Sequence, residues 1–391
     1  MVAIGTARRR TLSPIGIDLG LTGARLAQLR RVEGTWVVER LVRWGVPATA
    51  GPEDGETSLE EIARLAARLR RVLHQGDFAG TELTVGLSQP DLELHPLELP
   101  ERGDGEVERQ MQAAARWEVE RLSRFPEGTT ESAHWRLPAS RRTRTTAMGV
   151  AVPSTRVRAV WDMCRSAGGD CRRIDAAACA LSRAAVLLRR PREDEVWAVL
   201  DVGARATRLI LCVDEVPVLA RSLGPGGQAW SKRIAEALHL SEESAELHKC
   251  DQGIRFSGPS RGDPPAAGAD ARRGGGAPLA ELAGLVFSAL RVELERIADE
   301  IILSYEYVMQ CYPGRKAADL ILAGAGSCLT NFDTFLAERL GVPACHPQTY
   351  VDQGRAGLRL SENAGQRVAC REALDGYLGA VGLCVPPEGW A

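Results

Sequence analysis

The chain has 391 residues, 45% of them hydrophobic and 26% charged, with a formal net charge of −2. That is ordinary globular composition, long enough for two or three domains, and its balanced charge offers no basic field for nucleic acid. The opening MVAIGTARRR is too poor in apolar residues for a secretory leader, and no apolar run approaches the ~18 residues that span a bilayer.

From Pro14 the pattern is a strand meander: Ile15 to Gly20, a turn, Ala24 to Leu29, then Trp36 to Leu41. Leu59, Ile62, Ala66, Leu69 and Leu73 repeat at helical spacing, and Leu83 to Leu87 reads as a short buried strand. Val107, Met111, Ala115, Leu122 and Phe125 form an apolar helix stripe stopping at Pro126. Thr145 to Val152 is a strand, Ser154 caps a helix to about Ser166, and Gly168-Gly169 ends it. Cys171 to Ile174 is a short strand, after which Asp175 caps an Ala-rich helix. A second half repeats the strand pattern over Val196 to Val213 and Val216 to Ser222, followed by a helix from about Gln228 to Leu238. Residues 257–278 hold little apolar matter and read as an unstructured loop. Leu290, Leu294, Ile297, Ile301, Tyr305 and Val308 then mark a long helix, and Asp319 to Ala323 a strand before a glycine turn.

An internal repeat is the most informative feature. Asp18, Gly20 and Arg25 recur at one constant offset as Asp201, Gly203 and Arg208, each set within apolar strand, Asp, apolar, Gly, turn, Arg, apolar strand. A tight glycine hairpin lets backbone N–H groups approach an anion, so two facing hairpins can grip a polyphosphate from both sides. The carboxylates of Asp18 and Asp201 would then face Mg²⁺ through its waters. The plainer reading is that both aspartates finish strands or bind their own turn amides. Asp319 to Ser327, a buried strand running into Gly324 and Gly326, is a usual seat for a nucleoside or phosphate.

In this order the three segments resemble the actin-like ATPase superfamily, which includes actin, heat-shock chaperones and sugar kinases. More narrowly, the chain resembles the PilM family of type IV pilus assembly proteins over about residues 14–386. The resemblance is carried by Ile15 to Arg25, by Gly226-Gly227 through Ala245-Glu246-Leu247-His248-Lys249, and by the helix of Glu293, Glu300, Ser304, Tyr305 and Tyr307. Leu320 to Val342 and Tyr377 to Leu383 complete it.

The resemblance implies an α/β fold of two ribonuclease-H-like lobes with an extra αβ subdomain in the first, as in the division protein FtsA. The first lobe takes residues 14–89, the insert 90–175, a connecting helix 176–195, the second lobe 196–375, and a closing helix and tail 376–391. ATP and Mg are the implied cofactors. The implied nucleotide residues are Asp18, Gly20, Thr22, Gly23, Arg25, Asp201, Gly203, Thr207, Arg208, Gly226, Gly227, Glu246, Lys249, Gly324, Gly326 and Ser327. In the family an acidic residue usually stands where Arg208 is, and only Thr22 remains of a hydroxyl pair. Both departures weaken metal-assisted turnover, so ATP binding with little or no hydrolysis is expected. The implied partner is the N-terminal tail of a PilN-like membrane protein, with room for other pilus assembly proteins. The implied location is cytoplasmic, peripheral at the inner membrane through that partner. Alternatives are a nucleotide-free scaffold like the secretion protein GspL and a sugar-kinase-type phosphotransferase, for which no placed general base is found.

The ten cysteines hold no CxxC pair and the six histidines no HxH or HxxxH, so no metal centre is expected from them. The eight tryptophans are scattered, and core packing is expected for Trp117 and Trp135 in the insert.

Overall fold

The computed structural model describes residues 12–20, 23–45, 59–100, 105–190, 192–256, 276–354, 356–369 and 373–387. The chain opens on an antiparallel meander, β1 (Ile15–Gly20), β2 (Gly23–Val32) and β3 (Thr35–Gly45). Helix α1 (Leu59–Gln75) buries Ile62 and Leu69 from one face, and β4 (Glu82–Leu87) lies parallel to β1.

A small subdomain follows: β5 (Glu93–Leu97), α2 (Gly105–Leu122), β6 (Thr130–Arg136) and β7 (Ala147–Pro153). Period-two alternation divides β7 between two cores. Ala147 and Ala151 meet Ala115 and Val119 of α2, while Met148, Val150 and Val152 join the first lobe. The α2 stripe ends earlier than its pattern suggests. The helix stops at Leu122, which is exposed, and Val119 holds the buried position. Trp117 is also turned outward, 64% exposed, whereas Trp135 is buried and donates its indole N–H to the Pro217 carbonyl at 2.9 Å.

Next come α3 (Ser154–Ser166), β8 (Asp170–Ala176) and α4 (Ala177–Arg189). β8, read as part of the insert, pairs parallel with β4 and extends the first lobe's sheet. Neither helix is capped as its sequence suggests. The Ser154 hydroxyl donates to Glu131 at 3.2 Å, leaving Pro153 at the cap. Asp175 is held in ion pairs with Arg183 and with Arg173, leaving Ala176 at the second cap. In both cases the side chain takes a charged partner instead of a helix amide.

The second half repeats the meander as β9 (Glu195–Val202), β10 (Ala206–Val213) and β11 (Val216–Pro225). Helices α5 (Gly227–Leu238), α6 (Glu242–Asp251) and α7 (Gly276–Cys311) follow. The loop read over 257–278 lies outside the described residues as far as 275, and 276–278 already belong to α7. The six apolar positions marked along α7 are all buried. β12 (Lys316–Ala323) runs parallel to β9 and leads through a 3-10 turn at Ala325–Cys328 into α8 (Phe332–Leu340) and β13 (Ala344–Cys345). The chain ends with α9 (Pro347–Asp352), β14 (Leu358–Leu360), α10 (Glu362–Ala369), a 3-10 turn at Leu374–Tyr377 and α11 (Leu378–Leu383).

Among the described residues the strands form three sheets, ordered β14-β3-β2-β1-β4-β8, β11-β10-β9-β12-β13 and β5-β7-β6. One face of each large sheet meets a shared central core, in which Leu181, Ala184 and Leu188 of α4 and Leu378 and Val381 of α11 pack against strands from both halves. This places β1 and β9 on opposite sides of one junction.

Candidate functional site

Alternation decides where the two aspartates point. On β9, Val196, Ala198, Leu200 and Val202 face the outer core of their lobe, whereas Trp197 and Val199 face the central one. Asp201 continues the second row. On β1, Ile15 and Ile17 face the outer core, so Gly16 and Asp18 face the junction. A Cβ on Gly379 of α11 would stand 2.8 Å from an Asp18 carboxylate oxygen, which shows how closely α11 floors this cleft.

The two carboxylates share the cleft. Burial first, and the charge of Asp201 second, push the Asp18 carboxyl up to about 6, against the pull of Arg25 and Arg208. The repeat extends to those arginines. Asp18 sits opposite Arg25 across β1–β2, and Asp201 opposite Arg208 across β9–β10. Arg208 donates to Asp201 at 3.3 Å and to the Gln89 carbonyl of the first lobe at 2.8 Å, so its guanidinium spans the junction.

The glycine segments of the second lobe converge beside Asp201. A Cβ on Gly324, whose φ is +80°, would lie 2.5 Å from an Asp201 carboxylate oxygen. The Gly203–Ala206 turn is closed by its own hydrogen bond, and Gly226, Gly227 and Gln228 donate to the carbonyls of Arg205, Gly203 and Ala204. The first amides of α5 are therefore taken. Those of Ala204 and Arg205, at the hairpin tip, have no backbone partner among the described residues.

Other residues marked in the sequence point elsewhere. Thr207 is fully buried and donates to Pro225 at 2.9 Å, on the strand face opposite Arg208. Ser327 turns inward to the Gly324 carbonyl at 2.7 Å and to Asp375 at 3.3 Å. Lys249, 3% exposed, spends its ammonium on Gly227 O at 3.0 Å, Ser231 Oγ at 2.9 Å and Glu246 Oε2 at 2.6 Å. Burial works against the Glu246 carboxylate, but Lys249 and the Ser231 hydroxyl more than offset it and hold its carboxyl below the usual value. These two residues brace the start of α5. Gly20 and Gly23 close the β1–β2 hairpin, Gly326 packs against Val202, and Thr22 lies outside the described residues.

Two residues near the site carry no sequence signal. Asp375, 3% exposed, accepts from His346 Nδ1 at 2.5 Å, and its backbone carbonyl receives the Gly324 amide at 2.9 Å. Burial would lower the His346 pKa, but the Asp375 hydrogen bond and charge outweigh it and raise it. Asp375 thus ties the glycine turn after β12 to the turn before α11.

Among the described residues no cluster of three or more His, Cys, Asp or Glu is placed to hold a metal directly, and no helix is long and apolar enough to cross a membrane. Two crowded carboxylates, one with its proton affinity raised, do fit a hydrated divalent cation, which would relieve their repulsion.

The structure is similar to a solved PilM–PilN type IV pilus biogenesis complex, with a TM-score of 0.69 and 20% identity over 95% of this chain and 97% of that one. Weaker likenesses are to the ethanolamine utilization protein EutJ from Carboxydothermus hydrogenoformans (TM-score 0.47, 12% identity, 97% and 91% covered) and to MreB 5 of Spiroplasma citri bound to AMPPNP (0.45, 12%, 86% and 92%). No curated protein matches in sequence. The family described as type IV pilus assembly protein PilM matches residues 16–256, from the first aspartate hairpin through the second and on past Lys249. A match over more than half of the chain, on a fold that sets both hairpins at one junction, makes this protein a member of the PilM family of type IV pilus assembly proteins.

Proposed function

We propose that the chain is a nucleotide-binding scaffold in a type IV pilus-like machine, taking ATP with Mg²⁺ between its lobes and holding the N-terminal cytoplasmic tail of a PilN-like inner-membrane protein. The observation that carries the nucleotide reading is the pair of Asp-Gly hairpins meeting at one cleft, with Asp18 raised to about 6 by burial and by Asp201. Asp18 and Asp201 would hold the metal through its waters, and the Ala204 and Arg205 amides would receive phosphate oxygens. The metal's contribution is charge neutralisation. Arg208 and Arg25 add fixed positive charge at the same place.

Turnover is slow or absent in this reading. Among the described residues no side chain in the cleft stands out as one to orient an attacking water, and Arg208 occupies the position of an acidic family residue. The partner reading draws on the solved complex of a similar protein with PilN and on the small αβ subdomain, which phosphoryl transfer does not require. The protein would then reach the inner membrane from the cytoplasm through that partner. A short tail that orders on binding suggests micromolar affinity, about −8 kcal/mol.

Calorimetry of the full chain with the tail peptide of the PilN-like protein tests the reading, with and without ATP–Mg²⁺. Micromolar binding is expected, and absence of binding in both conditions removes the partner. A nucleotide-free scaffold is the second reading. It is favoured by the Arg208 bridge to Gln89 and the fully engaged Lys249. It predicts tail binding that is indifferent to ATP–Mg²⁺.

A further inference from the structure

Helix α7 is buried along one face and bare along the other. Leu290, Leu294, Ile297 and Ile301 fill the outer core of the second lobe. On the opposite side Leu285, Val292, Leu303 and Tyr307 are each 47–71% exposed. Their successive separations of seven, eleven and four residues all lie close to whole helical turns, so the four form one stripe. From Leu285 to Tyr307 it runs about 33 Å at 1.5 Å per residue. A lone exposed Leu or Val is ordinary, but four in register on one helix mark a surface built to be covered.

The two edges of the stripe differ in charge. Glu281, Glu295 and Glu306 follow one edge, and none of them makes an ion pair or a side-chain hydrogen bond among the described residues. Arg291, exposed farther round the same side, leaves that edge net acidic. Along the other edge the charges are already paired: Arg296 with Glu293 and the Leu223 carbonyl, and Glu300 with Arg221 at 2.7 Å. Asp299, between Val292 and Leu303, is paired with Arg339 of α8 at 2.7 Å. An apolar stripe with free carboxylates on one side has a specific complement.

We propose that this face docks an amphipathic helix of a partner protein, an apolar stripe edged on one side by lysine or arginine. Its apolar side chains would interdigitate with Leu285, Val292, Leu303 and Tyr307, and its cations would meet Glu281, Glu295 and Glu306. A second, antiparallel copy of α7 would set acidic edge against acidic edge, which disfavours self-pairing. The α7 side chains serve the outer core and not the central one, so the face does not depend on the nucleotide cleft or on the tail proposed above.

The test uses the full chain and a fluorescent helical peptide about as long as the stripe, with leucines on one face, lysines along one edge and alanines elsewhere. One control carries Glu for Lys, and the other has the same residues shuffled so that no apolar face forms. The basic peptide should bind, and both controls at least tenfold more weakly. Val292→Glu, at a solvent-facing position, should weaken binding at least tenfold with unchanged melting. Glu295→Lys combined with Glu306→Lys should turn the preference toward the acidic peptide. No binding at millimolar peptide, equal binding of the shuffled peptide, equal binding by Val292→Glu, or preference of the parent for the acidic peptide overturns the proposal. So does a dimer of the unliganded chain in sedimentation that Val292→Glu abolishes, which would assign the face to a second copy.

Discussion

Asp18→Asn should stabilise this protein above pH 6 while removing its nucleotide response. The carboxyl rises from 3.8 to about 6 on folding, chiefly through burial and then through Asp201. Between those values the folded state keeps a proton that the unfolded state releases, so stability is greatest below the lower value and falls as pH rises through the higher. A shift of this size corresponds to about 3 kcal/mol at 1.36 kcal/mol per unit, a ceiling for the cost of holding the charge. Asparagine does not titrate, so its advantage over the parent should be near zero at pH 4 and approach that ceiling at pH 8. Urea unfolding at several pH values, followed by tryptophan fluorescence, to which the buried Trp197 of the central core contributes, reads this directly. A pH-independent difference between the two proteins, or a less stable Asn variant at pH 8, would refute the argument that Asp18 is an enclosed carboxylate beside another.

Three other substitutions probe the surrounding frame. Arg208→Ala removes an interaction that lowers the Asp18 pKa, so the pH at which stability declines should move upward, and hydrogen exchange around Gln89 should quicken; an unchanged profile would separate Arg208 from the pair. Lys249→Met leaves the Gly227 carbonyl and the Ser231 hydroxyl without their buried ammonium donor, at a cost of about 1–3 kcal/mol in urea unfolding, and a neutral result would deny its bracing role. Gly382→Ala places a methyl 1.7 Å from the Ala180 carbonyl where α11 crosses α4, and should cost more than about 3 kcal/mol. Gly365→Ala, with open space around it, should be neutral or stabilising by roughly 0.5–1 kcal/mol, so equal effects of the two would contradict the close crossing.

The hairpins were legible because their signal is local. Alternation plus Asp-x-Gly marks a strand end and its turn, and the offset repeat marks two of them. That spacing also held the pairing of Asp18 with Arg25 and of Asp201 with Arg208, since a short hairpin fixes its own register. What the pattern did not reveal depends on the chain's return. Asp375 reaches the glycine turn only because α11 packs at the junction, and β8 joins the first sheet only because it comes back beside β4. Thr207 and Lys249 show a different limit. Residue types suited to phosphate binding were used for packing: Thr207 is spent on the Pro225 carbonyl outside its hairpin, and Lys249 on Glu246 of its own motif and on Gly227 and Ser231 at the start of α5.

The central claim is that the Asp18 and Asp201 hairpins form one nucleotide site. Thermal unfolding of the full chain with and without millimolar ATP–Mg²⁺, alongside Asp201→Asn, tests it most directly. Binding to the folded state should stabilise the parent by about 2.7 kcal/mol at a hundredfold excess over Kd, and the variant should lose most of that gain. No shift in the parent, or the same shift in Asp201→Asn, would contradict the account.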